Sequence, residues 1–216
     1  MSTFRRQEND ELSIVFTSQE AHVLINLTEQ LIELLADGDG QEHQVDPLLQ
    51  VIGFSSSELP PEDPVLRRLL PSAYDDEQEA GEFRRYTEHG LREKKKAHAH
   101  LIYEALIPQD EDWNGDIPLD KGKIEVRFPS ADAMAWLGGL NDLRIALAVR
   151  LGFGAERGKP GQSDGVNDDS DANNSESLHK KYELMIESDP MKAVYAVYSW
   201  IGWLQQSLLD ALTENI

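Results

Sequence analysis

The residues that come nearest to a chemical site form an acidic run, Asp110-Glu-Asp112-Trp-Asn114-Gly115-Asp-Ile117. Oxygen ligands at positions one, three and five, Gly at six and an aliphatic at eight match the start of an EF-hand calcium loop, which needs hard oxygen donors around a sharp turn. The twelfth position, where a bidentate Glu should sit, is Lys121, and Pro108 and Pro118 disturb the flanking helices. An acidic loop before a strand is the expected structure, without calcium. His98 and His100 stand two apart in a helix-forming stretch, about 200° around the axis, and so cannot share a metal. The chain has no HExxH, no GxSxG and no glycine-rich phosphate loop. No catalytic, cofactor-binding or metal-binding residue is therefore nominated, and the expectation is a protein that is not an enzyme.

Charge offers more. One basic tract runs from Phe83 to His98, with Arg84, Arg85, Arg92, Lys94, Lys95 and Lys96 against Glu88 and Glu93. It reads either as a solvated face paired with carboxylates such as Glu79, Glu82 and Glu88, or as an electropositive docking surface. On the docking reading those six cations are exposed and meet an acidic protein or, alternatively, DNA. Arg144 falls between Leu137, Leu140 and Leu151 on a helical wheel, inside an apolar stripe. A lone charge there is costly, so Arg144 is expected to be buried beside a carboxylate. Arg144 and its neighbour Asp142 are the candidates for an ion pair or a ligand contact.

The whole composition weighs against nucleic acid. Forty Asp and Glu against twenty Lys and Arg give a formal charge of −20 over 216 residues. Such a field repels phosphate backbones and anionic lipid surfaces alike. With 40% hydrophobic residues the chain can build a core. The cysteine count is zero, which removes disulfides, thiolate ligands and thiol redox sensing from this chain. The start of the chain has no apolar signal core and no stretch of 18 apolar residues follows, so a cytoplasmic protein without membrane contact is expected.

These residues need elements to carry them. Leu12, Ile14 and Phe16 alternate as in a strand over 11–16, and Ile124, Val126 and Phe128 do so over 123–128, enough for a small antiparallel sheet. Thr17-Ser-Gln-Glu20 is a capping box opening a helix with Leu24, Leu27, Leu31, Leu34 and Leu35 on one stripe. Asp46-Pro47 and Asp63-Pro64 mark short helix starts. A charged helical stretch follows over 75–106, with Gly90 expected to divide it. Ser130 is expected to cap a helix carrying Trp136, Leu140, Leu143, Leu147 and Leu151. Asp189-Pro190 opens another, with Val194, Val197, Ile201, Leu204, Leu208 and Leu212. Tyr195 and Trp200 lie off that last stripe, either under another helix or at a partner site. Residues 154–177 are Gly, Ser, Asn and Asp with almost nothing apolar, and read as a flexible acidic loop. The expected fold is mostly α: a single domain over 1–216, a helical bundle with a small antiparallel β-sheet.

Three segments carry a resemblance. They are Arg68-Leu-Leu-Pro71-Ser-Ala-Tyr74, then Glu82-Phe83-Arg84-Arg85-Tyr-Thr-Glu88 with Leu91-Arg92 and Lys95, and Ala135-Trp136-Leu137-Gly-Gly-Leu140-Asn141-Asp142-Leu143-Arg144. In order and spacing they are similar to an actinobacterial family long classed as a domain of unknown function, whose members are now often labelled oxidative-stress regulators, AosR-like. The similarity runs from about residue 4 to residue 212, with 154–177 as a member-specific insertion. It implies a cytoplasmic regulator that binds a protein, an alternative sigma factor being the proposed partner, with a cysteine pair as sensor. This chain departs there, because without cysteine it cannot switch by forming a disulfide.

Overall fold

The structure is a computed structural model that describes residues 2–36, 59–107, 122–153, 179–186 and 188–213. The calcium-like loop at 110–121, the acidic loop at 154–177 and the helix start at Asp46-Pro47 lie outside these residues.

Three strands form the sheet: β1 (Arg5–Arg6), β2 (Glu11–Thr17) and β3 (Lys123–Pro129), in the order β1-β2-β3. Period-two alternation puts Leu12, Ile14 and Phe16 on one face, where all three are buried. Val126 and Phe128 join them from β3, which runs antiparallel with Glu11 opposite Pro129 and Thr17 opposite Lys123. The opposite, wet face carries Val15, Lys123, Glu125 and Arg127, all exposed, and Ser13, which is buried.

Helix α1 (Ser18–Ala36) follows β2 directly through the expected capping box. The Thr17 N–H donates to Glu20 Oε2 at 2.8 Å and the Glu20 N–H returns to Thr17 Oγ1 at 3.2 Å. Helix α2 (Pro64–Leu69) starts on Asp63, whose Oδ1 accepts from the Val65 and Leu66 amides. Helix α3 (Glu77–Leu106) is one unbroken rod of 30 residues capped by Asp76, so Gly90 does not divide it. A glycine costs about 1 kcal/mol against Ala in a helix, less than the packing along such a helix supplies. Ser130 does not cap the next helix. It opens a 3-10 turn (Ser130–Asp132), its N–H goes to the Asp10 carbonyl at 2.9 Å, and α4 (Ala133–Arg150) begins after it. Helix α5 (Pro190–Thr213) opens as expected, with Asp189 Oδ1 accepting from the Met191 amide.

The sheet's apolar face and the helices enclose one hydrophobic cluster among the described residues. Trp136 of α4 is fully buried at its centre, stacked on Phe128 at 4.6 Å and edge-on to Phe4 at 5.8 Å. The off-stripe aromatics of α5 are met by this chain itself. Trp200 packs edge-on against Phe16, and Tyr195 lies against His179 and Tyr182.

Candidate functional site

Residues four apart share a helix face, and α3 uses this to line up Arg84, Glu88 and Arg92. All three are buried. Arg84 Nη1 donates to Glu88 Oε2 at 2.8 Å and to the Leu70 carbonyl at 3.4 Å, while Nη2 reaches Ser72 Oγ at 3.0 Å. The other carboxylate oxygen of Glu88 accepts from Arg92 Nε at 2.9 Å and Nη2 at 2.8 Å. Arg92 Nη1 then donates to the Leu35 carbonyl at 3.0 Å, satisfying an acceptor that the end of α1 would otherwise leave open. The triad thus ties three pieces of chain together: the last turn of α1, the segment after α2, and α3.

One turn further along, α3 crosses α4 at close range. Gly138 and Gly139 permit the approach. A Cβ on Gly138 would sit 2.5 Å from His98 Nδ1, and one on Gly139 would sit 2.6 Å from Ile102 Cδ1 and 3.1 Å from the His98 carbonyl oxygen. Beside this crossing Lys95 Nζ donates to Asp142 Oδ1 at 2.6 Å, with Asp142 almost wholly buried. His98 is half-buried there. Burial holds its imidazole below the usual histidine range, Asp142 pulls the other way, and Lys94 and Lys95 add to the lowering.

The basic tract therefore does not present six cations to solvent. Arg84 and Arg92, expected to be exposed, face inward onto Glu88. Lys95 is bound to Asp142, and Lys96 pairs with Glu93. Arg85 and Lys94 are exposed. The tract spans more than three helical turns, so its charges are spread around the axis. The Arg-Glu-Arg spacing of 84, 88 and 92 marks the pairing in the sequence, while the burial of the triad comes from the chain packed over it at Leu35, Leu70 and Ser72.

Arg144 also departs from expectation. It is exposed, donating to Gln205 Oε1 at 3.3 Å and Tyr198 Oη at 3.4 Å, with its guanidinium 5.1 Å from the Tyr198 ring centre. None of these partners is a carboxylate. Arg144 sits at the margin of the apolar stripe, where a long side chain reaches across to α5. The buried charge on α4 is Asp142.

What the triad leaves on the outside is aromatic. Tyr74, Phe83 and Tyr86 are 48%, 43% and 67% exposed, and Tyr74 meets Phe83 edge-on at 5.6 Å. Arg85 is also exposed on α3, but two residues from Phe83 it points to nearly the opposite side of the helix. Sequence reasoning missed the aromatic face because it weighed only the charges of the tract. Among the described residues, no group of three or more His, Asp or Glu is placed to hold a metal ion, and no helix is long and apolar enough to cross a membrane.

Comparison with known proteins places these features in a family. The model of a domain of unknown function, DUF2017, matches residues 1–212. The chain is 30% identical over 200 residues to the oxidative stress regulator AosR of Mycobacterium tuberculosis (strain ATCC 25618 / H37Rv), covering 89% of this chain and 78% of that protein. The same figures hold for oxidative stress regulator AosR of Mycobacterium bovis. It is 27% identical over 202 residues to the putative oxidative stress regulator AosR of Mycobacterium leprae, covering 92% and 81%. No solved structure matches it significantly. With the family model and these relatives covering most of its length, the chain belongs to the DUF2017 family.

Proposed function

We propose that this chain is a cytoplasmic regulatory protein that acts by binding another protein rather than by catalysing a reaction. Its docking surface is the aromatic face of α3 and the segment before it: Tyr74, Phe83 and Tyr86. The observation that carries this reading is the exposure of three aromatic side chains over a buried ion-pair triad. Aromatic residues are prominent among those that dominate binding energy at protein interfaces, and a rigid base lowers the ordering cost of docking. The relatives' names support a regulatory role. The family resemblance supports an alternative sigma factor as the partner class. Regulation here runs without a thiol switch, since the chain has no cysteine. Direct DNA binding, the alternative use of the tract, is left with few exposed cations in a field of −20.

The test is titration of the purified chain against purified alternative sigma factors of its own cell, by interferometry. The double variant Phe83→Ser/Tyr86→Ser should lose at least about tenfold in affinity, with its melting temperature nearly unchanged, because both side chains are exposed. Undiminished binding by that variant would move the surface elsewhere. A mobility shift on bare DNA that weakens steeply with salt would replace the reading altogether.

A further inference from the structure

We propose that two copies of this chain associate through the outer edge of β3, pairing antiparallel about Val126 so that their sheets become continuous. The inference stands apart from the aromatic face of α3 and rests on the sheet alone.

The direction of the backbone groups follows from two hydrogen bonds. The Gln7 N–H donates to the Glu11 carbonyl at 2.8 Å, and the Ser130 N–H donates to the Asp10 carbonyl at 2.9 Å. In an antiparallel ladder, bonded and non-bonded pairs alternate. The odd residues of β2 therefore turn their amides and carbonyls toward β1, and the even ones toward β3. With Ile14 opposite Val126, the even residues of β3 face β2. Lys123, Glu125 and Arg127 then point N–H and C=O outward, and Pro129 adds a carbonyl. Among the described residues no strand lies beyond β3, so this row is a template for another strand.

Charge selects the strand that fits. Lys123, Glu125 and Arg127 are exposed on the wet face, and Glu125 pairs within its own strand with Arg127 at 2.8 Å. Proteins often guard an edge with charges, but an edge of alternating sign is guarded only in some registers. Pairing two copies about Glu125 sets Glu125 against Glu125 and Lys123 against Arg127, which is repulsive throughout. Pairing about Arg127 sets that residue against itself. Pairing about Ile124 matches Lys123 with Glu125 but leaves Arg127 and Phe128 outside the shared ladder. Pairing about Val126 sets Glu125 against Arg127 twice, once from each copy, and Ile124 against Phe128 on the apolar face. Outward amides meet outward carbonyls in this register. The two-fold axis lies normal to the sheet, as an isologous contact requires.

Sedimentation velocity on the full chain over a concentration series tests the idea. The natural chain should self-associate to a dimer. Glu125→Arg and Arg127→Glu should each weaken association about tenfold or more, since each turns two attractive cross-strand pairs into repulsive ones. Mixed in equal amounts, the two variants should form a heterodimer, because every facing pair is then of opposite sign. The double exchange Glu125→Arg/Arg127→Glu should restore the homodimer. Circular dichroism melts confirm that each variant is folded, and recovery in the mixture is a second check on that point. A natural chain that stays monomeric throughout overturns the proposal. So do single variants that dimerise as well as the natural chain, or a mixture that fails to associate.

Discussion

Arg84 and Arg85 are neighbours in sequence, and replacing each with Ala should give opposite results. Arg84→Ala removes a buried guanidinium that holds Glu88, the Leu70 carbonyl and Ser72. Glu88 keeps its two bonds from Arg92, so its carboxylate is not stranded, and the loss should sit near the low end for a broken buried pair, about 3 kcal/mol. Glu88→Ala is worse, because it leaves two buried guanidinium groups without a carboxylate, and should cost about 5 kcal/mol. Arg85→Ala removes an exposed side chain whose surface pairing is worth less than about 1 kcal/mol. A domain of ordinary stability, about 5–15 kcal/mol, can lose the first amount and still be measured. Urea unfolding followed by tryptophan fluorescence reads the midpoint shift for each variant, with an unchanged slope confirming two-state behaviour. The expected order of damage is Glu88, then Arg84, then Arg85. A Glu88→Ala unfolding free energy within about 0.5 kcal/mol of the natural chain would refute the triad as the brace of α3. An Arg85→Ala loss equal to that of Arg84→Ala would do the same.

The glycines give a second contrast. Gly139→Ala should destabilise by about 1–3 kcal/mol, since the new methyl meets the α3 backbone as well as Ile102, whereas Gly90→Ala faces open space and should stabilise by about 0.5–1 kcal/mol. Thermal melts of the two variants check this, and a tolerated Gly139→Ala would show that the crossing is not close-packed. Acid should weaken the fold through His98. Its pKa is lowered in the folded chain, so the unfolded chain binds the proton more readily and stability falls as pH drops below about 6.5. His98→Asn should flatten the dependence of unfolding free energy on pH between about 7 and 5; an unchanged slope there would show that other groups govern it.

Local patterns in the sequence settled most of the elements. Period-two alternation at Leu12, Ile14 and Phe16 makes a strand wherever one face is covered, and the Thr17–Glu20 box closes on itself within one turn. Asp63-Pro64 and Asp189-Pro190 likewise act through their own neighbouring amides. Such signals involve partners a few residues apart, so they are legible without the fold. The same holds for the zero cysteine count, which bars a thiol switch however the chain is arranged. The fates of the charges were different in kind. Arg92 finds the Leu35 carbonyl 57 residues away, and Lys95 finds Asp142 at a separation of 47. Neither partner leaves a mark in the local sequence. Gly90 and Gly139 are the same residue in two helices, yet one faces solvent and the other admits a second helix. Arg144 was placed correctly on its helix but not in the molecule, because its exposure depends on where α5 passes. A helical wheel gives the direction of a side chain from its own axis, and only the packing of the other elements decides whether water, a carboxylate or a tyrosine lies in that direction.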